Sequence, residues 1–296
     1  MLSTYSKRAI AIALGSLLLS NEARSDSWID VEPAALAYDN LTRAQAPEDR
    51  RSDRAMALQV SAGRAFVLSG NDTVDLALDG RGEAYRRYRG LDVVMVGGSA
   101  SYRHKFGLGA DVPWVMASVR GAREDYRDAI RDSNRRTMTV EFGQRLTPRW
   151  EAAVGVVRDR RYGDYDPTPE VPGYSARVFD LQGDSVQARV GYAPTDRLLL
   201  ALQFAVRRGD IESTAQQGYA IYVASDAIAE DPAFNDPALY AYRLRATSYT
   251  STASASYALT GNASVNLTYV ENRARAAYSL AYTDRTLALS LAYRYP

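Results

Sequence analysis

The sequence predicts an all-β fold, a transmembrane antiparallel up-and-down β-barrel of twelve strands within a range of ten to fourteen. Three observations carry the prediction. Segments of a dozen or so residues alternate between apolar and polar side chains, the period of a strand with two different faces. Their connectors also alternate, tight turns with long charged or Pro-rich loops, as in a barrel whose short turns lie on one side of a membrane. The segments are also longer than the roughly 5–6 residues of a globular strand and match the roughly 9–11 that a tilted spanning strand needs. "TVDLALDGRGEAY" (73–85) is the type case, with Val74, Leu76 and Leu78 interleaved with Asp75, Asp79, Arg81 and Glu83.

At the N-terminus, Lys7 and Arg8 precede the apolar run "AIAIALGSLLLS", and Ala23-Arg24-Ser25 offers small residues where a signal peptidase cuts. Residues 1–25 are therefore expected to be a cleavable signal peptide and 26–296 a single barrel domain. The following segments are 28–40, 55–68 (Met56, Leu58, Val60, Phe66 and Leu68 on one face), 73–85, 91–103, 114–126 and 135–146. Segment 150–162 sets Trp150, Ala152, Val154 and Val156 against Glu151, Gly155 and Asp159. Next come 178–192, then 198–211 with Leu198, Leu200, Leu202, Phe204 and Val206 opposite Gln203 and Arg207, then 244–257, a strand from Ala263, and 286–295. The count is twelve if 263 to about 282 is one long strand and about fourteen if "ENRARA" (271–276) is a turn. No segment reads as a convincing helix.

The tight connectors are "LSGND" (68–72), "LTPR" (146–149), "APTDR" (193–197) and "LTGN" (259–262). Between them lie the long links 41–54, 86–90, 127–134, 163–177 and 212–243, while "HKFGLGADVP" (104–113) is a long link on the short-turn side. A soluble sandwich has no reason to sort its loops by side.

Composition excludes much. With 36 basic against 35 acidic residues there is no net basic character for a nucleic-acid partner, and without cysteine there are no disulfides, thiol nucleophiles or thiolate metal sites. The single histidine, His104, sits beside a turn and is a poor candidate for a general base, so no catalytic residue, metal ligand or cofactor is expected. "DAIAEDPAFNDP" (226–237) carries carboxylates without the spacing of a calcium loop and reads as a solvated loop. Gly97-Gly98 and Gly107-Leu108-Gly109 lack a following helix for phosphate binding and read as strand bends.

The polar faces nominate twelve lumen-lining residues: Asp75, Asp79, Arg81, Glu83, Arg120, Glu124, Glu141, Arg145, Glu151, Asp159, Arg189 and Arg207. Mixed signs suggest interlocked pairs rather than an ion-selective bore. Arginines, with only two lysines in the chain, gather at the loop ends. Arg86, Arg87, Arg135, Arg136, Arg160 and Arg161 are candidates for contact with lipopolysaccharide phosphates, against the plainer expectation of salt bridges with Asp125, Asp128, Asp132, Asp159 and Asp210.

In "LALSLAYRYP" the alternation of Leu287, Leu289, Leu291, Tyr293 and Tyr295 resembles the C-terminal strand of Gram-negative outer-membrane barrels, which the barrel-insertion machinery recognises; Pro296 departs from the usual terminal aromatic. "ALAYDNLTRA" and "YRHKFGLGADVPW" are similar to stretches of uncharacterised proteobacterial barrels. "YTDRTLALSLAYRY" resembles the barrel end of surface lipoprotein assembly modifiers, without their helical-repeat domain. The resemblance implies an outer-membrane protein in contact with lipid and lipopolysaccharide, with an unidentified export partner if it serves export. A non-enzymatic narrow pore or transport accessory is the leading function. A barrel enzyme acting on lipid or peptide at the outer face and a soluble periplasmic saccharide-binding β-protein are the alternatives.

Overall fold

Alternation becomes one continuous rolled sheet. The computed structural model describes residues 27–166, 169 and 172–295, so the expected signal peptide lies outside the described residues. The strands are β1 (Ser27–Tyr38), β2 (Asp53–Val67), β3 (Asp72–Tyr85), β4 (Val93–Lys105), β5 (Trp114–Tyr126), β6 (Ser133–Thr147) and β7 (Trp150–Gly163). They continue with β8 (Leu181–Thr195), β9 (Leu198–Ala215), β10 (Ser225–Glu230), β11 (Tyr240–Ala258), β12 (Ala263–Ala276) and β13 (Ala281–Tyr295). A short helix, α1 (Tyr219–Ala224), precedes β10. Each strand pairs antiparallel with the next, β13 returns to β1, and β9 pairs directly with β11. The ring therefore closes with twelve strands, and β10 adds to the free edge of β11 outside it. Closure leaves no unpaired strand edge, the condition for a sheet to cross hydrocarbon.

The faces separate cleanly. On β2, Asp53, Ala55, Ala57, Gln59 and Ser61 are buried while Met56, Leu58 and Val60 are exposed. The outward residues form registered rows: Val140, Val156, Val186 and Val206 sit side by side on β6 to β9. Leu78 is 72% exposed and Leu202 60%. A band of such residues around the whole ring far exceeds the few hundred Å² of apolar patch that a soluble monomer shows, so hydrocarbon is its solvent. Tyrosines divide between two duties. Tyr257, Tyr293 and Tyr295 stand outward near the short-turn end, where Trp150 stacks on Tyr192 at 4.3 Å, whereas Tyr38, Tyr85, Tyr126, Tyr242 and Tyr282 are buried.

Three sequence expectations need correction. "ENRARA" lies inside β12, as the twelve-strand reading has it, but the strand expected to run from 263 to about 282 ends at Ala276, and a turn falls at 277–280, where Tyr278 and Ser279 take left-handed backbone (φ 55° and 60°) with no Gly or Pro to announce it. β9 and β11 run to 18 and 19 residues, past the predicted ends, because their hairpin continues beyond the ring. Segment 226–237 is not a solvated loop: it holds β10 and a 3₁₀ turn (Pro232–Phe234), with Ala227, Ile228, Ala233, Phe234 and Asp231 buried.

Candidate functional site: a lid over a polar lumen

The extended β9–β11 hairpin turns inward at Gly209. Its φ is +155°, and a Cβ there would collide with the Gln182 carbonyl and the Gly183 backbone of β8, so only glycine allows the bend. Past it, Asp210 through Ala215 are all buried, whereas below it burial alternates. The hairpin, β10 and the 3₁₀ turn together cross the long-loop mouth of the barrel. Phe234 and Leu239 reach the opposite wall, packing with Leu36 and Tyr38 of β1, Ala55 and Ala57 of β2, Tyr85 of β3 and Leu91. On the near side Ile211, Ile228, Tyr242 and Leu244 pack on Ala274 and Tyr282.

Other long loops clasp this lid. The Thr214 amide donates to the Thr42 carbonyl (2.8 Å), the Ser213 hydroxyl to the Arg43 carbonyl (2.8 Å), and the Gln216 amide to Asp49 (3.1 Å). Arg51 pairs with Asp236 at 2.9 Å. The Ile228 amide donates to the Ser175 carbonyl at 2.9 Å.

Under the lid lies a balanced cluster of six buried charges. Arg131 donates to Glu212 (2.7 Å) and to Asp231 (2.5 Å), both on the lid. Arg161 donates to Ser133 (2.8 Å) and to Glu212 (3.3 Å), and lies 3.2 Å from Glu124, which also accepts from Arg135 (2.7 Å). Thr214 donates to Asp231 at 2.6 Å. The Phe179 ring covers the Arg131 guanidinium at 4.6 Å and that of Arg161 at 5.4 Å. Burial opposes the charge on Arg131, but Asp231 and Glu212 more than offset it, so its guanidinium is held above its ordinary range. Burial also pushes the nearby Asp128 carboxyl above the usual carboxylate range. Three cations against three anions make a lock between wall and lid.

The twelve residues expected to face the interior all occupy inward positions. Several pair across an intervening strand, and an inward glycine lies beneath each of three bridges. Asp79 and Arg120 pair over Gly97, Glu141 and Arg189 (2.9 Å) over Gly155, and Asp159 and Arg207 (3.0 Å) over Gly183. A Cβ at Gly183 would overlap the Arg207 guanidinium, so the missing side chain is what lets the pair span two strand spacings. All three glycines act as saddles, Gly97 in place of the bend expected of it. Arg81 binds Glu83, which also accepts a hydrogen bond from Tyr38 (2.5 Å); Arg189 lies 3.6 Å from Glu151, and Arg145 is in register with Glu151. Asp75 accepts a long hydrogen bond from Ser101 (3.4 Å).

The remaining wall is different in kind. Inward positions of β11 to β13 carry Ser248, Thr252, Ser254, Ser256, Asn266, Thr268 and Ser290, of which Ser254, Asn266, Thr268 and Ser290 are half-buried and the others buried. A hydroxyl-rich wall thus faces a wall of paired charges.

The arginine set splits. Arg86, Arg87, Arg136 and Arg160 are exposed. Arg135 and Arg161 are 4% and 2% exposed and bound to Glu124, so they cannot reach a lipid phosphate. Of the acids expected to pair with arginines, Asp125 lies 2.7 Å from Arg123, Asp132 3.9 Å from Arg123, and Asp210 3.9 Å from Arg245.

At the short-turn end, the His104 ring nitrogen Nδ1 lies 2.8 Å from Asp72, which also accepts from Ser69 (2.5 Å) and Tyr102 (2.6 Å). Serine and histidine both address the carboxylate and not each other.

No protein-family model and no characterised sequence matches the chain. Solved structures do. An outer membrane channel from Pseudomonas putida F1 is 12% identical, covers 93% of this chain and 97% of its own, and superposes with a TM-score of 0.55. The translocator domain of autotransporter NalP from Neisseria meningitidis is 10% identical over 99% of this chain and 95% of its own, with a TM-score of 0.50. At such identities the likeness is one of fold: the chain is an outer-membrane-type β-barrel.

Proposed function

We propose that the protein is a non-enzymatic outer-membrane channel for small hydrophilic solutes, held closed by its β9–β11 lid. With short turns periplasmic and long loops external, as in bacterial barrels generally, the lid seals the outer mouth. The observation that carries this reading is the pairing of a polar, hydroxyl-rich lumen with a lid fastened by a balanced set of buried charges. A scaffold with no transport duty has no need of half-buried serines and threonines below a sealed top. The solved channel from Pseudomonas putida F1 supports the same reading through its shared architecture. In planar bilayers the wild-type barrel is expected to give rare, brief openings. A variant in which 211–243 is replaced by a short Gly-Ser turn is expected to give long-lived stepwise conductance. A lidless barrel that shifts on unboiled gels as a folded species yet passes no current would refute the channel.

A further inference from the structure

The outer surface of the barrel carries a second feature that the channel does not use. On β7 to β12, just above the apolar band at the long-loop end, Arg158, Arg208, Arg245 and Arg275 line an open cleft of about 540 Å³. Asp184 lies 3.6 Å from Arg158, and Asp210 and Asp226 lie 3.9 and 3.8 Å from Arg245. Arg208 and Arg275 pair with no carboxylate among the described residues, and both point outward in the same row, Arg208 beside Thr247 and Thr247 beside Arg275. The cleft therefore offers two uncommitted guanidinium forks, the geometry that suits a phosphate.

Arg275 also borders a second hollow, of about 420 Å³, that opens directly below between Phe204, Tyr249, Ser251 and Glu271. This hollow leads into a trough in the apolar band. The outward face of β11 there is Ser251, Ala253 and Ala255, flanked in register by Phe204, Leu202 and Leu200 on β9 and by Glu271, Tyr269 and Leu267 on β12. Small side chains on one strand between large ones on both neighbours leave a channel two strand spacings wide, about 10 Å, running along the tilted strand for about 14 Å. That is room for an acyl chain directly under a phosphate site.

We propose that this face binds one phosphorylated lipid of the outer leaflet, a lipopolysaccharide, with a phosphate on Arg208 and Arg275 and an acyl chain along Ala253 and Ala255. The assignment rests on the outer-membrane orientation adopted above. It relocates the lipid contact from the buried Arg135 and Arg161 to outward residues of neighbouring strands.

The test is binding of purified diphosphoryl lipid A to the detergent-folded barrel by native mass spectrometry, with dephosphorylated lipid A and phosphatidylglycerol as comparisons. Diphosphoryl lipid A is expected to bind at one equivalent and the other two more weakly. Arg208→Ala with Arg275→Ala is expected to weaken it by roughly tenfold or more, as for loss of two charge-assisted contacts. Ala253→Leu with Ala255→Leu should weaken all three lipids by filling the trough. Equal binding of phosphatidylglycerol, or binding unchanged in the double arginine variant, would overturn the site. Absence of binding to a barrel that still conducts once its lid is removed would do the same while leaving the channel standing.

Discussion

Arg131→Ala is expected to be the single substitution most damaging to closure of the lid. It removes the cation shared by Glu212 and Asp231, both buried; Glu212 keeps Arg161, whereas Asp231 is left with the Thr214 hydroxyl and no cation among the described residues. Breaking a buried ion pair by removing one partner costs about 3–5 kcal/mol, far more than the pair itself contributes. The cost falls on the closed lid, because the twelve-stranded ring keeps its backbone ladder whether or not the lid is seated. Limited proteolysis should therefore cut within 211–243 in the variant and spare it in the wild type, with the ring surviving as a folded band on an unboiled gel. A second substitution, Asp231→Asn, should restore much of the protection, because it removes the stranded charge and returns the cluster to two cations against two anions. If Arg131→Ala leaves the loop as resistant as before, the charge cluster does not hold the lid.

Val156→Arg should be comparably costly for another reason. Val156 lies in the middle of the valine row, 54% exposed on the face assigned to hydrocarbon. An arginine on the lipid face at the bilayer midplane costs about 2–4 kcal/mol. Thr139→Arg, at an inward position on the adjacent strand, meets water and the paired charges and should cost little by comparison. Denaturant unfolding from lipid vesicles measures both. Equal losses at the two sites, or a larger loss at Thr139, would show that the faces have been assigned the wrong solvents.

The ring was legible in the sequence because each strand repeats one two-residue pattern along its length, and lipid on one side and water on the other enforce it. Ends were less legible. At 277–280 the chain turns through Ala277, Tyr278, Ser279 and Leu280, residues that continue the apolar texture of the strands they join. The lid was missed because the acids of "DAIAEDPAFNDP" suggest water, whereas Asp231 is buried against an arginine a hundred positions earlier. Composition is local and this contact is not.

For Arg135 and Arg161 the signal was present but unused. Each shares strand parity with a residue already assigned inward, Glu141 on β6 and Asp159 on β7, so strict alternation alone places both inside. The glycine saddles were likewise within reach: Gly155 falls on the polar face of its own strand, where a missing side chain invites neighbours to meet over it. Which strands lie two apart, and hence which acid meets which arginine, waited on the register.

One experiment reaches the central claim directly, and the absence of cysteine from the natural sequence makes it clean. Ala77 and Leu78 are adjacent on β3 and point to opposite faces, so the single variants Ala77→Cys and Leu78→Cys are each folded into vesicles. A membrane-impermeant maleimide supplied on both sides of the vesicle membrane, so that it reaches the lumen from the end the lid does not cover, is expected to label the Ala77→Cys barrel and spare the Leu78→Cys barrel, and a hydrocarbon-soluble maleimide to do the reverse. Labelling of Leu78→Cys from water, with Ala77→Cys protected, would contradict the account.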